Sequence, residues 1–182
     1  MKENNKSNVN VSRRFLGYII DWYVGALCTA LPIALISQKL TNTMTNQNII
    51  EFQGSYGIIA GVLALLFAVF YFVIVPTFIY KGQTLGKRIC KMKIVKKSNE
   101  DVELKNILLR QVIGVIIIEG ALVTASTIWH QLLTIFTRVN FVTPLMYAGF
   151  AITAISICLL LFKGENRALH DYIGSTKVVL CD

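Results

Sequence analysis

Residues 13–36 read R-R-F-L-G-Y-I-I-D-W-Y-V-G-A-L-C-T-A-L-P-I-A-L-I, two arginines followed by 22 mostly apolar residues that enclose one acid, Asp21. At 1.5 Å rise per residue, a helix over 15–36 is about 33 Å long, enough to cross a ~30 Å hydrocarbon core. Asp21 lies seven residues after Arg14, two helical turns on and nearly on the same face. Arg14 then belongs at the headgroup level and Asp21 about 10 Å deeper. A carboxylate at that depth costs about 2.5–3.5 kcal/mol on insertion scales unless it is protonated, paired or turned toward protein. The spacing predicts a partner for Asp21 on another helix.

The rest of the chain agrees with a membrane setting. Its 182 residues are 54% hydrophobic, and the mean hydropathy of +0.59 excludes an ordinary soluble domain. Three further apolar runs are long enough to span: 57–80 without a charge, 111–128 with Glu119 near its middle, and 141–162 without a charge. The pattern predicts an all-α polytopic membrane protein of four transmembrane helices, about 15–36, 57–80, 111–128 and 141–162. It forms one domain over 1–182 with no separate soluble part.

Charge orients it. Of the 18 Lys and Arg, four lie before the first span (Lys2, Lys6, Arg13, Arg14), nine in the loop 81–110 and three in the tail 163–182 (Lys163, Arg167, Lys177). Lys39 and Arg138 are left for the other two loops. The positive-inside rule places both termini and the loop 81–110 in the cytoplasm of a protein of the cell membrane, and four spans return the chain to its starting side. The net charge of +8 reads as orientation and attraction to anionic lipid headgroups, with no nucleic-acid motif beside it. Cys28, Cys90, Cys158 and Cys181 include no C-x-x-C and read as reduced thiols, with no metal and no cofactor.

Residues 1–12 are polar and aperiodic and read as disordered. The arginine pair does not open an export signal, because the apolar run after it is long and holds an acid. Gly82 to Lys87 is a G-x-x-x-G-K one residue short of a phosphate-binding loop and lacks the Ser or Thr that would hold magnesium. From Ile89 to Val95 apolar residues alternate with lysines as in a half-buried strand, and 98–101 is turn chemistry. Thr176 to Leu180 is β-branched and strand-like. A lone strand leaves its backbone groups unpaired, so 176–180 is expected to pair with 89–95 as a small cytoplasmic β element.

In the third run Glu119 lies nine residues beyond Arg110, about 13 Å into the bilayer. Asp21 and Glu119 are the candidate proton- or cation-binding acids. A protonated acid hydrogen-bonded to a neighbouring helix remains the structural alternative for Glu119. Trp129 and His130 read as part of an amphipathic piece at the outer interface.

Three pieces stand in order: R-F-L-G-Y-I-I-D, G-Q-T-L-G-K-R-I-C-K-M-K-I-V and R-A-L-H-D-Y-I-G-S-T-K-V-V. Together they resemble the RDD family of small prokaryotic integral membrane proteins, and Arg14, Asp21 and Asp171 match the three residues for which it is named. The resemblance implies the fold more than an activity. It implies a transport-related protein, some members being connected with sodium/proton exchange, and it implies nothing about Glu119.

No nucleophile–base pair, metal cluster or cofactor loop accompanies these motifs, so no enzymatic activity is expected. The leading expectation is proton- or cation-coupled transport, in an oligomer because four short helices enclose little space. The rival is a non-transporting scaffold that holds anionic lipid or a partner through Lys87, Lys91, Lys93, Lys96 and Lys97. Either way, topology is expected to gather Arg14, Asp21, Arg88, Arg167 and Asp171 at the cytoplasmic mouth.

Overall fold

The computed structural model describes residues 9–120, 123–163 and 166–181. Lys2 and Lys6 of the expected disordered tail lie outside the described residues. Seven helices, a single 3-10 turn (Ile49–Glu51) and a two-stranded sheet are described: α1 (Val11–Thr41), α2 (Tyr56–Ile79), α3 (Leu85–Ile89), β1 (Met92–Lys96), α4 (Leu104–Glu119), α5 (Thr124–Thr137), α6 (Val142–Phe162), α7 (Leu169–Ile173) and β2 (Thr176–Leu180).

The first helix is longer than the apolar run. Asn10 caps it by accepting from the Ser12 N–H, and Asn42 ends it in the left-handed conformation, φ 57°. Its buried face is a four-residue ladder of Gly17, Asp21, Gly25, Thr29, Ile33 and Ser37. Small side chains on that ladder let backbones approach closely. The opposite side, with Phe15, Ile19, Tyr23, Leu27, Leu31 and Leu35, is exposed. Val9 is buried against Met92 and Val178, which corrects the expectation of disorder up to residue 12: Val9 is packed, Asn10 is the helix cap, and Val11 and Ser12 are helical.

Helices α1, α2 and α6 are each long and apolar enough to cross a membrane. The expected third span is interrupted, and its residues 121 and 122 lie outside the described residues. Residues 111–128 do not form one straight helix: α4 stops at Glu119, Gly120 takes φ 35°, and α5 departs at 64° to α4. Counted as one broken span, the pair makes a fourth. The break is stabilised by side chains, since Ser126 Oγ and Trp129 Nε1 both donate to the Ile116 carbonyl, at 2.8 and 3.0 Å. Freed backbone groups inside a membrane protein need such partners. Trp129 is therefore turned toward the bundle and half-buried, and His130 is buried.

β1 and β2 pair antiparallel, Met92 with Leu180 through Lys96 with Thr176. The partner is the expected one, but the strand starts three residues late. Leu85–Ile89 is helical and Lys91 turns at φ 51°, which leaves Ile89 exposed and outside the ladder. The sheet packs on the bundle through Met92 against Val9 and through Ile94 against Val73 and Ile107. That carries the tail back under the start of α1 and α4.

Candidate functional site

The buried ladder of α1 delivers Asp21 to the loop after α2. Oδ1 accepts from the Tyr71 hydroxyl (2.8 Å) and the Gly86 N–H (2.9 Å), and Oδ2 from the Thr84 hydroxyl (2.5 Å) and Lys87 Nζ (2.8 Å). A carboxylate offers about four acceptor positions, and all are used. Gly86 is required here, because a Cβ would strike the Gly17 carbonyl and lie 2.8 Å from Asp21 Oδ1. Asp21 has its partner on another helix, as its depth demanded. The partner is Lys87, which corrects its reading as a lipid-facing lysine: its side chain is largely buried on Asp21.

A second cluster forms around the tail. Asp171 is fully buried and takes Arg14 on Oδ2 (2.6 Å) and Arg110 on Oδ1, with the Ala168 N–H also on Oδ2 (3.0 Å). Burial pushes its pKa up, but Arg110, His170 and Arg14 more than reverse this and hold the carboxyl well below the usual carboxylate range. Arg14 also reaches the Asn166 carbonyl. Arg167 donates to the carbonyls of Thr176 (2.9 Å) and Asp171 (3.1 Å) and lies over the Tyr172 ring.

The expected gathering of five charges thus divides. Arg14, Arg167 and Asp171 meet, Asp21 forms its own cluster with Lys87, and Arg88 is exposed over the Tyr80 ring, 4.3 Å from its centroid. A comparison with family models matches residues 9–175 to the RDD family. The chain belongs to that family. No curated protein and no solved structure matches it.

In this RDD-family chain Arg110, which the sequence offers only as a charge ahead of the third apolar run, is buried and bonds Asp171 and the Thr176 hydroxyl. Its Nε has no partner among the described residues. The available signal was a lone arginine ahead of an apolar run, with a tail acid on the same side of the membrane.

Glu119 is the third charged point. Oε1 accepts from the Ser156 hydroxyl (2.7 Å) and the His170 N–H (2.9 Å), and His170 Nδ1 lies 2.9 Å from Oε2. The far nitrogen of the same ring, Nε2, is 3.9 Å from Asp171 Oδ2. Glu119 is therefore not isolated in its helix, because the tail reaches it. It also lines a cavity of about 350 Å³ between α1, α4 and α6, together with Asp21, Lys87, Arg14 and His170. Among the described residues no group of three or more His, Cys, Asp or Glu could hold a metal ion.

The remaining loop lysines divide as well. Lys93 pairs with Asp101 (3.3 Å), and Lys96 with Glu100 (3.4 Å) and Glu103. Lys91 and Lys97 are exposed.

Proposed function

We propose that this RDD-family protein is transport-related, with Glu119 as its proton- or cation-binding carboxylate and His170 as the group that exchanges a proton with it. One observation carries this reading. Glu119 sits on a cavity wall, at a helix break, and among the described residues its Oε2 meets only His170 Nδ1. A proton held between Oε2 and Nδ1 has a 2.9 Å path. Asp21 drops out as an ion ligand because a cation would have to displace Lys87 and two hydroxyl donors.

The charge bias of the sequence supports a cell-membrane location with both termini and the sheet in the cytoplasm. The small cavity favours an oligomer as the working unit, and no enzymatic role is proposed. The scaffold reading keeps Lys91 and Lys97 as lipid contacts, while Lys87, Lys93 and Lys96 are spent on acids of this chain.

The test is exchange by purified protein in liposomes, with an imposed Na⁺ or pH gradient and a pH-sensitive dye inside. Glu119→Gln should abolish exchange in a protein that still folds. A Glu119→Gln protein that exchanges at the wild-type rate would sink the proposal.

A further inference from the structure

His170 is fixed against Glu119 by more than the contact between their side chains. From Leu109 to Glu119, α4 is wound as a π-helix, whose i→i+5 bonding brings residues five apart onto one side. Gly114 and Glu119 therefore both meet α7. At Gly114 the approach is close: a Cβ there would lie 2.7 Å from His170 Cβ and 2.9 Å from its Cα. Three consecutive residues of α7 are also tied down. The Leu169 N–H donates to Ser156 Oγ (2.9 Å), the His170 N–H donates to Glu119 Oε1 (2.9 Å), and Asp171 takes Arg14 and Arg110. The imidazole has little freedom to leave the carboxylate it touches.

The ring nitrogens face different groups. Nδ1 is 2.9 Å from Glu119 Oε2, and Nε2 is 3.9 Å from Asp171 Oδ2. Among the described residues, the charged groups packed around the ring are Glu119 and Arg110 of α4, Asp171 beside it on α7, and Arg14 of α1. Asp171 is spent on the two arginines, so Glu119 is the carboxylate that His170 serves.

A 2.9 Å contact between Nδ1 and Oε2 is held by one proton, carried by either atom. On the other oxygen both neighbours are donors, the Ser156 O–H and the His170 N–H. A proton on Oε2 joins this arrangement without moving it. A metal cation does not fit the same way, because hard cations bind through several oxygen lone pairs at once and repel donor hydrogens. To bind Oε2 it has to displace the ring, and the ring is clamped.

We propose that Glu119 takes a proton and no metal cation, and that His170, clamped by Gly114 and by the anchoring of Asp171, is the residue that makes it selective. This rests on Glu119 being the binding carboxylate proposed above. Loading adds one proton to the pair. Nε2, on a side chain that is 17% exposed, takes it from hydronium in the surrounding water. The Nδ1–H bond then breaks and an O–H bond forms at Oε2, which leaves a neutral ring and a neutral carboxyl. Unloading is the reverse.

The test is an infrared titration of the protonated carboxyl band in detergent, taken as the difference between the unaltered chain and Glu119→Gln. The Glu119 midpoint should stay in place when NaCl or KCl replaces choline chloride. Equal ionic strength in the three salts separates cation binding from screening. A cation that competed would lower the midpoint by about one pH unit for each tenfold of salt above its Kd. His170→Ala, which uncovers Oε2, should acquire that drop. Gly114→Ala, whose methyl pushes the ring away, should acquire it more weakly. A midpoint in the unaltered chain that falls with NaCl overturns the proposal, and so does a His170→Ala midpoint as indifferent to salt as that of the unaltered chain. Transport is read separately, as Glu119-dependent proton flux in liposomes. Absent flux together with an unshifted midpoint defeats the transport reading and leaves the proton-selective site standing.

Discussion

Asp21 and Glu119 look alike in the sequence, each a single acid in an apolar run, yet the fold treats them oppositely. Asp21 is saturated: four donors from α2, the following loop and α3 fill its four acceptor positions, one of them a lysine. Among the described residues Glu119 is bound by one serine and one histidine residue, with one contact on Oε2, and it borders a cavity. The first arrangement holds backbone in place, because removing the acid strands several donors at once. The second leaves room for a proton or cation to come and go. Depth in the membrane does not separate such acids, and donor count does.

The contrast is tested most severely by truncation. Asp21→Ala leaves Lys87 buried without its counter-charge and should cost about 3–5 kcal/mol, read as a large drop in the thermal unfolding midpoint in detergent. Glu119→Gln keeps most of its hydrogen bonds and should cost about 1 kcal/mol. Equal losses for the two variants would erase the distinction.

Asp171 sharpens it as a second anchored acid. Its folded pKa lies well below the unfolded value of about 3.9. Its contribution is therefore fully present above that value and is lost only as pH falls below it toward the folded pKa. Hydrogen exchange should show β2 protected without change from pH 7 to about 4 and released in stronger acid. Loss of β2 protection between pH 6 and 5 would mean that Asp171 is not what holds the tail.

The smallest effect belongs to the exposed lysines. Lys91→Glu and Lys97→Glu should change stability by no more than about 0.5 kcal/mol. Their effect on copurifying anionic lipid decides how much of the scaffold reading survives. A loss of several kcal/mol from either would mean that the loop is anchored through side chains that look free.

Much of the fold was legible because it follows from local chemistry. Three spans, the pairing of Thr176–Leu180 with the central loop and the turn near Ser98 all came from hydropathy, alternation and turn residues. The broken third span did not, because Gly120 in an apolar run has no signature until Ser126 and Trp129 are seen to cap the Ile116 carbonyl. The late start of β1 is not legible for a similar reason: the alternation from Ile89 onward is compatible with a strand, and the helical Leu85–Ile89 is held by Asp21 from another element.

The sequence by itself determined the membrane setting, the family and the need for buried acids to find partners. These depend on composition, on spacing along one helix and on the cost of an unpaired charge in hydrocarbon. Only the tertiary structure decided which partner each acid found. Lys87 rather than Arg88 reached Asp21, Arg110 joined Arg14 on Asp171, and His170 of the tail came to Glu119. Those choices turn on where a close glycine contact, a helix break and a strand pairing place side chains tens to more than a hundred and fifty residues apart in the chain. No periodicity within one segment carries that information.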